Sequence, residues 1–243
     1  MYYLRLMVLF IAISASFVKP IYAGETERAE KAEKIVLDNG LVVVLKQVRT
    51  APLVAVQLWV KTGSIYEGEY LGSGISHLIE HMLFKGTKRR GVGDIGRQVS
   101  ASGGEMGGYT SLDRTVYHMV MPKDKAEIAL DILADASANA VFDPVEMEKE
   151  KEVILREMDM CEDDPDKYLS RKIWQEAFSH HPYQYPVIGY KGLFAQLTQD
   201  DLLKYYRRFY VPNNMILSVA GDFNKKWMLE NINKYFKDFK RTS

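Results

Sequence analysis

Apolar residues in the first half of the chain form short runs rich in β-branched side chains, whereas in the second half they recur at helical spacing. Ile35-Val36-Leu37 and Leu41 to Leu45 flank Asp38-Asn39-Gly40, and Asn-Gly between two such runs predicts a hairpin. Leu53 to Val60 predicts a third strand. Gly72 to Phe84 predicts a helix, with Ser73 or Ser76 as its N-cap. A second helix is expected from Asp94 to Ser102, stopping at Gly103-Gly104, and then two strands, Tyr109-Thr110 and Thr115 to Met121, joined around Leu112-Asp113.

Beyond these strands the period changes. Lys123 to Ala140 predicts a helix, and Asp143-Pro144-Val145-Glu146 starts another that should run to about Cys161: an Asp N-cap, Pro at the first helical position and Glu at the third. Asp164 should cap a helix reaching about Phe178, and Thr198-Gln199-Asp200-Asp201 should open one that ends before Pro212. Met215 to Ala220 predicts a closing strand and Asn224 to Phe236 a closing helix. Strands first, helices in the middle and a strand–helix finish predict an α+β fold. The expected architecture is a two-layer sandwich in which helices cover a largely antiparallel or mixed sheet in one domain.

The amino terminus reads as targeting. Arg5 precedes the apolar run Leu6 to Val18, and Lys19-Pro20-Ile21-Tyr22-Ala23 follows. That run falls short of the roughly 20 apolar residues of a spanning helix, so residues 1–23 are expected to be a signal peptide cut after Ala23. The mature protein would be exported to a periplasm or the cell exterior, with no stable membrane span. Residues 24–33 are charged, lack apolar period and read as a tether, leaving residues 34–243 for the folded domain.

Composition narrows the chemistry. The 243 residues are 47% hydrophobic and 26% charged, ordinary for a globular chain. Thirty-two basic residues balance thirty-two acidic ones, so the basic footprint that phosphate backbones demand is missing and a nucleic-acid partner is not expected. Cys161 is the single cysteine, which excludes an intrachain disulfide and a cysteine-based zinc knuckle.

His77-Leu78-Ile79-Glu80-His81 lies in the middle of the first predicted helix. Positions i and i+4 share a face, so both imidazoles can reach one metal ion, with Glu80 near enough to act on a water there. The order is the inverted zinc-peptidase signature H-x-x-E-H. Catalytic zinc takes three protein ligands and leaves a position open, so a third ligand must come from elsewhere. Glu150 and Glu157 lie two turns apart on one predicted helix, and Val153 and Ile154 turn the intervening surface toward the core. Glu157 is therefore a candidate buried ligand, while Glu146, Glu148 and Glu152 read as a solvated face.

The segments Gly74-Ile75-Ser76-His77-Leu78-Ile79-Glu80-His81-Met82-Leu83-Phe84-Lys85-Gly86-Thr87 and Glu150 to Glu157 resemble the pitrilysin and insulinase family of zinc metallopeptidases, which includes the mitochondrial processing peptidases. Gly103-Gly104, Tyr109-Thr110-Ser111, Thr115-Val116-Tyr117 and Tyr210 to Met215 add to the likeness, which spans essentially the whole chain after the tether. The resemblance implies one zinc ion per chain, held by His77, His81 and Glu157, with Glu80 as the base and Glu150 as a supporting carboxylate that orients the site. It implies a zinc-dependent endopeptidase acting on peptides or unfolded polypeptides. Two departures stand out. Relatives carry Asn-Ala where this chain has Gly107-Gly108, on the strand that docks peptide. Family members of the short type have a second homologous half, and this chain resembles the first alone, so a partner domain or subunit is expected. The rival reading is a non-catalytic peptide-binding or structural subunit, or an inactive fragment, of the same fold.

Other motifs carry less. Gly91-Val92-Gly93-Asp94-Ile95-Gly96 fits a dinucleotide fingerprint but follows basic residues instead of a strand, so it reads as a loop entering a helix. His118 reads as a strand histidine, His180-His181 as the end of a helix where they meet its dipole, and Tyr205, Tyr206, Phe209 and Tyr210 as packing aromatics.

Overall fold

The structure, a computed structural model, describes residues 31–241. The signal peptide expected at residues 1–23 and most of the tether lie outside the described residues. Among the described residues six strands form one mixed sheet: β1 (Glu33–Val36), β2 (Val42–Gln47), β3 (Leu53–Val60), β4 (Glu105–Thr110), β5 (Thr115–Pro122) and β6 (Met215–Gly221), in the order β1-β2-β6-β3-β5-β4. Only β2 and β6 run parallel; every other neighbouring pair is antiparallel. The α+β architecture expected from the pattern is therefore the one observed. The first strand starts at Glu33 instead of Ile35, because Glu33 and Lys34 pair with Leu45 and Val44 across the Asn39-Gly40 hairpin.

Alternation sets the two faces of the sheet. Val43, Leu45, Val54, Val56, Leu58, Tyr117, Met119, Leu217 and Val219 are buried, while their alternates Val44, Ala55, Gln57, His118 and Ser218 are partly open. The helices are α1 (Ile75–Leu83), α2 (Asp94–Ala101), α3 (Ala126–Asn139), α4 (Pro144–Asp163), α5 (Pro165–Ala177), α6 (Lys191–Phe194), α7 (Gln199–Phe209) and α8 (Lys225–Phe236); all but α5, which packs on α4 and has no buried residue, share one core with the buried face. Asp143 and Asp164 cap α4 and α5 as expected, and Thr198 with Asp201 forms a reciprocal capping box on α7.

Two local expectations are corrected. Neither Ser73 nor Ser76 is the N-cap of α1; the cap residue is Gly74, in the left-handed region at φ 73°. A Cβ at Gly74 would sit 2.3 Å from the Ile188 carbonyl oxygen, so the close approach of the 186–189 segment to the start of α1 requires glycine there. His180 and His181 do not end a helix, since α5 stops at Ala177. His181 instead caps the following 3₁₀ turn, its Nδ1 accepting from the Tyr183 amide at 3.2 Å. Gly91 to Gly93 form a loop into α2, as read from the sequence.

Candidate metal centre

Helix α1 divides its side chains cleanly. Ile75, Leu78, Ile79, Met82 and Leu83 are fully buried, and this apolar stripe presses the helix onto the core. His77, Glu80 and His81 lie on the remaining face, largely buried, toward β4 and α4. The helix has no cap from its own first turn. Glu67, buried on the preceding turn, supplies one: its carboxylate accepts from the Gly74 amide at 3.4 Å, the Ser76 amide at 3.1 Å and the Ser76 hydroxyl. Burial pushes the Glu67 carboxyl up to about 7 against the opposing pull of these hydrogen bonds.

Helix α4 brings the distant carboxylates. Ile154 and Met158 are buried beside α1, which turns Glu150 and Glu157 toward the histidines. One Glu157 oxygen lies 4.0 Å from His77 Nε2 and 3.7 Å from His81 Nε2. The ligand-capable atoms of His77, His81 and Glu157 all fall within 4.8 Å of one another. The Glu157 side chain is 39% exposed, so this expected buried ligand reaches into an open cleft instead. Glu80 stands next to the cluster, 3.9 Å from His77 Nε2, and accepts a hydrogen bond from the Thr110 hydroxyl at 3.1 Å.

Electrostatics favour a cation at this point. Burial, with the neighbouring His81, pulls His77 down to about 4 and keeps its imidazole neutral, the form that binds a metal. His81 Nδ1 lies 3.1 Å from Glu150, which as a carboxylate only accepts; the proton therefore sits on Nδ1 and the lone pair on Nε2 faces Glu157. Burial works to raise the Glu150 carboxyl, but hydrogen bonds from Lys85 and His81 outweigh it and hold it below its ordinary value. Burial raises the Glu80 carboxyl, Glu157 adding to the effect while His81 and the Thr110 hydroxyl oppose it.

These residues suit zinc. Two ligands about 2.1 Å from a shared tetrahedral ion lie about 3.4 Å apart. The observed 3.7 and 4.0 Å separations are too long for direct hydrogen bonds and close to that spacing. Two imidazoles and one carboxylate form a borderline-soft donor set of the kind found in catalytic zinc sites, with room left for a water.

Three contributors had no role in the sequence reading. Thr110 and Lys85 stand inside the segments that resemble the family, yet only the fold brings their side chains to Glu80 and Glu150. Glu67 carried no local signal. A cavity of about 570 Å³ opens one turn beyond Glu157 on α4, lined by Cys161, Leu112, Trp174, Tyr183 and Ile188 among others. His118 stays away from the cluster, facing Gly107.

The sequence model of the insulinase family (peptidase family M16) matches residues 42–191, which include every residue of this cluster. A second model, that of the peptidase M16 inactive domain, matches residues 196–243. An uncharacterised zinc protease of Bacillus subtilis is 33% identical over 82% of this chain and 48% of its own length. The crystal structure of a protease from Helicobacter pylori superposes with a TM-score of 0.82 at 28% identity, covering 88% of this chain and 51% of that one. The periplasmic protease PqqL of Escherichia coli gives a TM-score of 0.82 at 27% identity over 88% of this chain and 24% of its own. The chain spans about half the length of the curated relatives it matches.

Proposed function

The chain belongs to the insulinase family of peptidases (peptidase family M16), and on that premise we propose that it is the zinc-binding half of a zinc-dependent endopeptidase. Its substrates would be peptides or unfolded polypeptides. The observation that carries this reading is the convergence of His77, His81 and Glu157 on one point beside Glu80. Those three residues would hold one zinc ion. Zinc bound there supplies a Lewis acid that acidifies a neighbouring water and draws charge from the scissile carbonyl.

The protein's own part is positioning and proton transfer. Glu80 takes the proton of the attacking water and passes it to the leaving amine nitrogen, a role suited to a carboxyl that burial has made more basic. Glu150 fixes the His81 ring through Nδ1, and Lys85 fixes Glu150. The peptide adds as a strand to β4, the terminal strand of the sheet, so that backbone pairing gives affinity with little sequence demand. The largely apolar cavity at Cys161, one turn along α4 from Glu157, then receives a bulky apolar side chain.

Half-length coverage of the relatives supports a requirement for a homologous second half, on the same polypeptide or as a separate subunit. Export to a periplasm or the exterior agrees with the short apolar segment before Ala23 and with the periplasmic location of PqqL. Among the described residues no helix is long and apolar enough to cross a membrane.

The test is cleavage of a quenched peptide by the zinc-loaded protein, with and without the second half, against Glu80→Gln. Zinc-dependent cleavage that falls by about 10²- to 10⁴-fold in Glu80→Gln, with zinc retained, is expected. Zinc bound without cleavage in either arm would identify a non-catalytic peptide-binding subunit instead.

A further inference from the structure

We infer that Thr110 is a positioning residue for Glu80, so that the strand offered to the peptide also sets the base. The inference rests on the reading of Glu80 as the base. Thr110 is the last residue of β4, and its hydroxyl reaches across to α1 to donate to Glu80 Oε2 at 3.1 Å. Among the described residues it is the one hydrogen-bond donor to that carboxylate.

The end of the strand that carries Thr110 is itself tied down. Its register partner is Thr115 on β5, which is fully buried and donates to the Thr62 carbonyl at 3.1 Å. The position of the Thr110 hydroxyl is therefore set by the sheet, and the hydrogen bond passes that position on to Glu80. A base held this way faces the reacting water in one orientation instead of sampling several.

The departure at Gly108 sharpens the point. Gly108 lies two residues before Thr110, on the same face of β4. A Cβ there would stand 3.0 Å from Glu80 Oε1 and 3.2 Å from its Cγ. A side chain at this position would wall the carboxylate on the Oε1 side, and glycine leaves that side open. With no wall there, the orientation of Glu80 falls to the Oε2 side, where Thr110 is.

The contact with Glu80 is made by the Thr110 hydroxyl and not by the β4 backbone offered to the peptide, so removing that hydroxyl acts on turnover and spares backbone pairing. Thr110→Val keeps the β-branched shape on a partly exposed edge and removes the donor, and Thr110→Ser keeps the donor. Measured on the zinc-loaded protein with its second half, Thr110→Val is expected to lower kcat about tenfold or more, with KM and zinc content within about twofold of wild type. Thr110→Ser should restore most of the loss. A Val variant with wild-type kcat, or Val and Ser variants that fall equally, would overturn the inference.

Crystal structures of the same variants separate this inference from the reading it rests on. A Glu80 carboxylate that swings away in Thr110→Val and stays in place in Thr110→Ser supports the positioning role even if wild type cleaves nothing, an outcome that instead removes the role of Glu80 as base. An unmoved Glu80 in Thr110→Val overturns the inference whatever the protein does to peptides.

Discussion

Lys85, just past the end of α1, and Glu150, in the middle of α4, form an ion pair directly behind His81. Glu150 holds the His81 ring with its other oxygen, so a lysine that touches no proposed ligand helps set the direction of one. Carboxylates that orient a ligating histidine are typically worth 10- to 100-fold in metal affinity, and the half-open Lys85 should contribute the lower part of that range. Lys85→Met is expected to weaken zinc binding about tenfold, and Glu150→Gln by at least as much, in a chelator competition titration. Wild-type affinity in both variants would contradict this arrangement.

Glu67 should give the fold a pH dependence of its own. Its carboxyl sits at about 7 in the folded protein against an ordinary value near 4.5, so the folded state holds this proton more tightly than the unfolded one. Stability from this group is then present below about pH 4.5 and is lost as pH rises through about 7. Gln at this position does not titrate and still accepts one hydrogen bond from the start of α1. The stability of Glu67→Gln relative to wild type should therefore rise by an amount on the order of 1–3 kcal/mol between pH 5 and pH 8, read from urea unfolding. A difference that stays constant over that window would contradict the assignment.

The other glycine of the β4 pair is a packing feature. A Cβ at Gly107 would lie 2.8 Å from His118 Cε1 and 2.9 Å from its Nε2, on the face of the sheet away from the metal cluster. Gly107→Ala should displace the imidazole and cost about 1 kcal/mol, and the cost should largely vanish in a His118→Ala background. Equal costs in the two backgrounds, measured by denaturant unfolding, would show that the strain lies elsewhere. Zinc binding should not change in either.

What could be read in advance depended on how local its cause was. Strand β3 falls at Leu53–Val60 as expected because the segment is one long, largely apolar run with valines at three of its eight positions. The starts of α4 and α7 were legible because Asp143, Thr198 and Asp201 act within a single turn. Strand β4 was seen only at Tyr109-Thr110, since Gly107 and Gly108 erase the alternation that would mark Glu105 to Gly108. The cap of α1 differs from the local pattern because Gly74 holds the cap position and Glu67, on the turn before the helix, accepts from Gly74 and Ser76, while the Ser73 hydroxyl accepts from the Ile75 amide alone, at 3.3 Å. His77, Glu80 and His81 followed from helical spacing, and Glu157 from its place on a second helix. Thr110 and Lys85 depend on which elements meet, so spacing along the chain carried no trace of their partners.

The central claim is that two imidazoles on α1 and one carboxylate on α4 share a single ion. Zinc stoichiometry of the purified protein, measured by elemental analysis after dialysis against a fixed free-zinc buffer, tests it most directly. The expected result is one zinc per chain in wild type and in Glu80→Gln, and a small fraction of that in His77→Ala and in Glu157→Ala under the same buffer. Full occupancy in Glu157→Ala, or no zinc in correctly folded wild type, would contradict it.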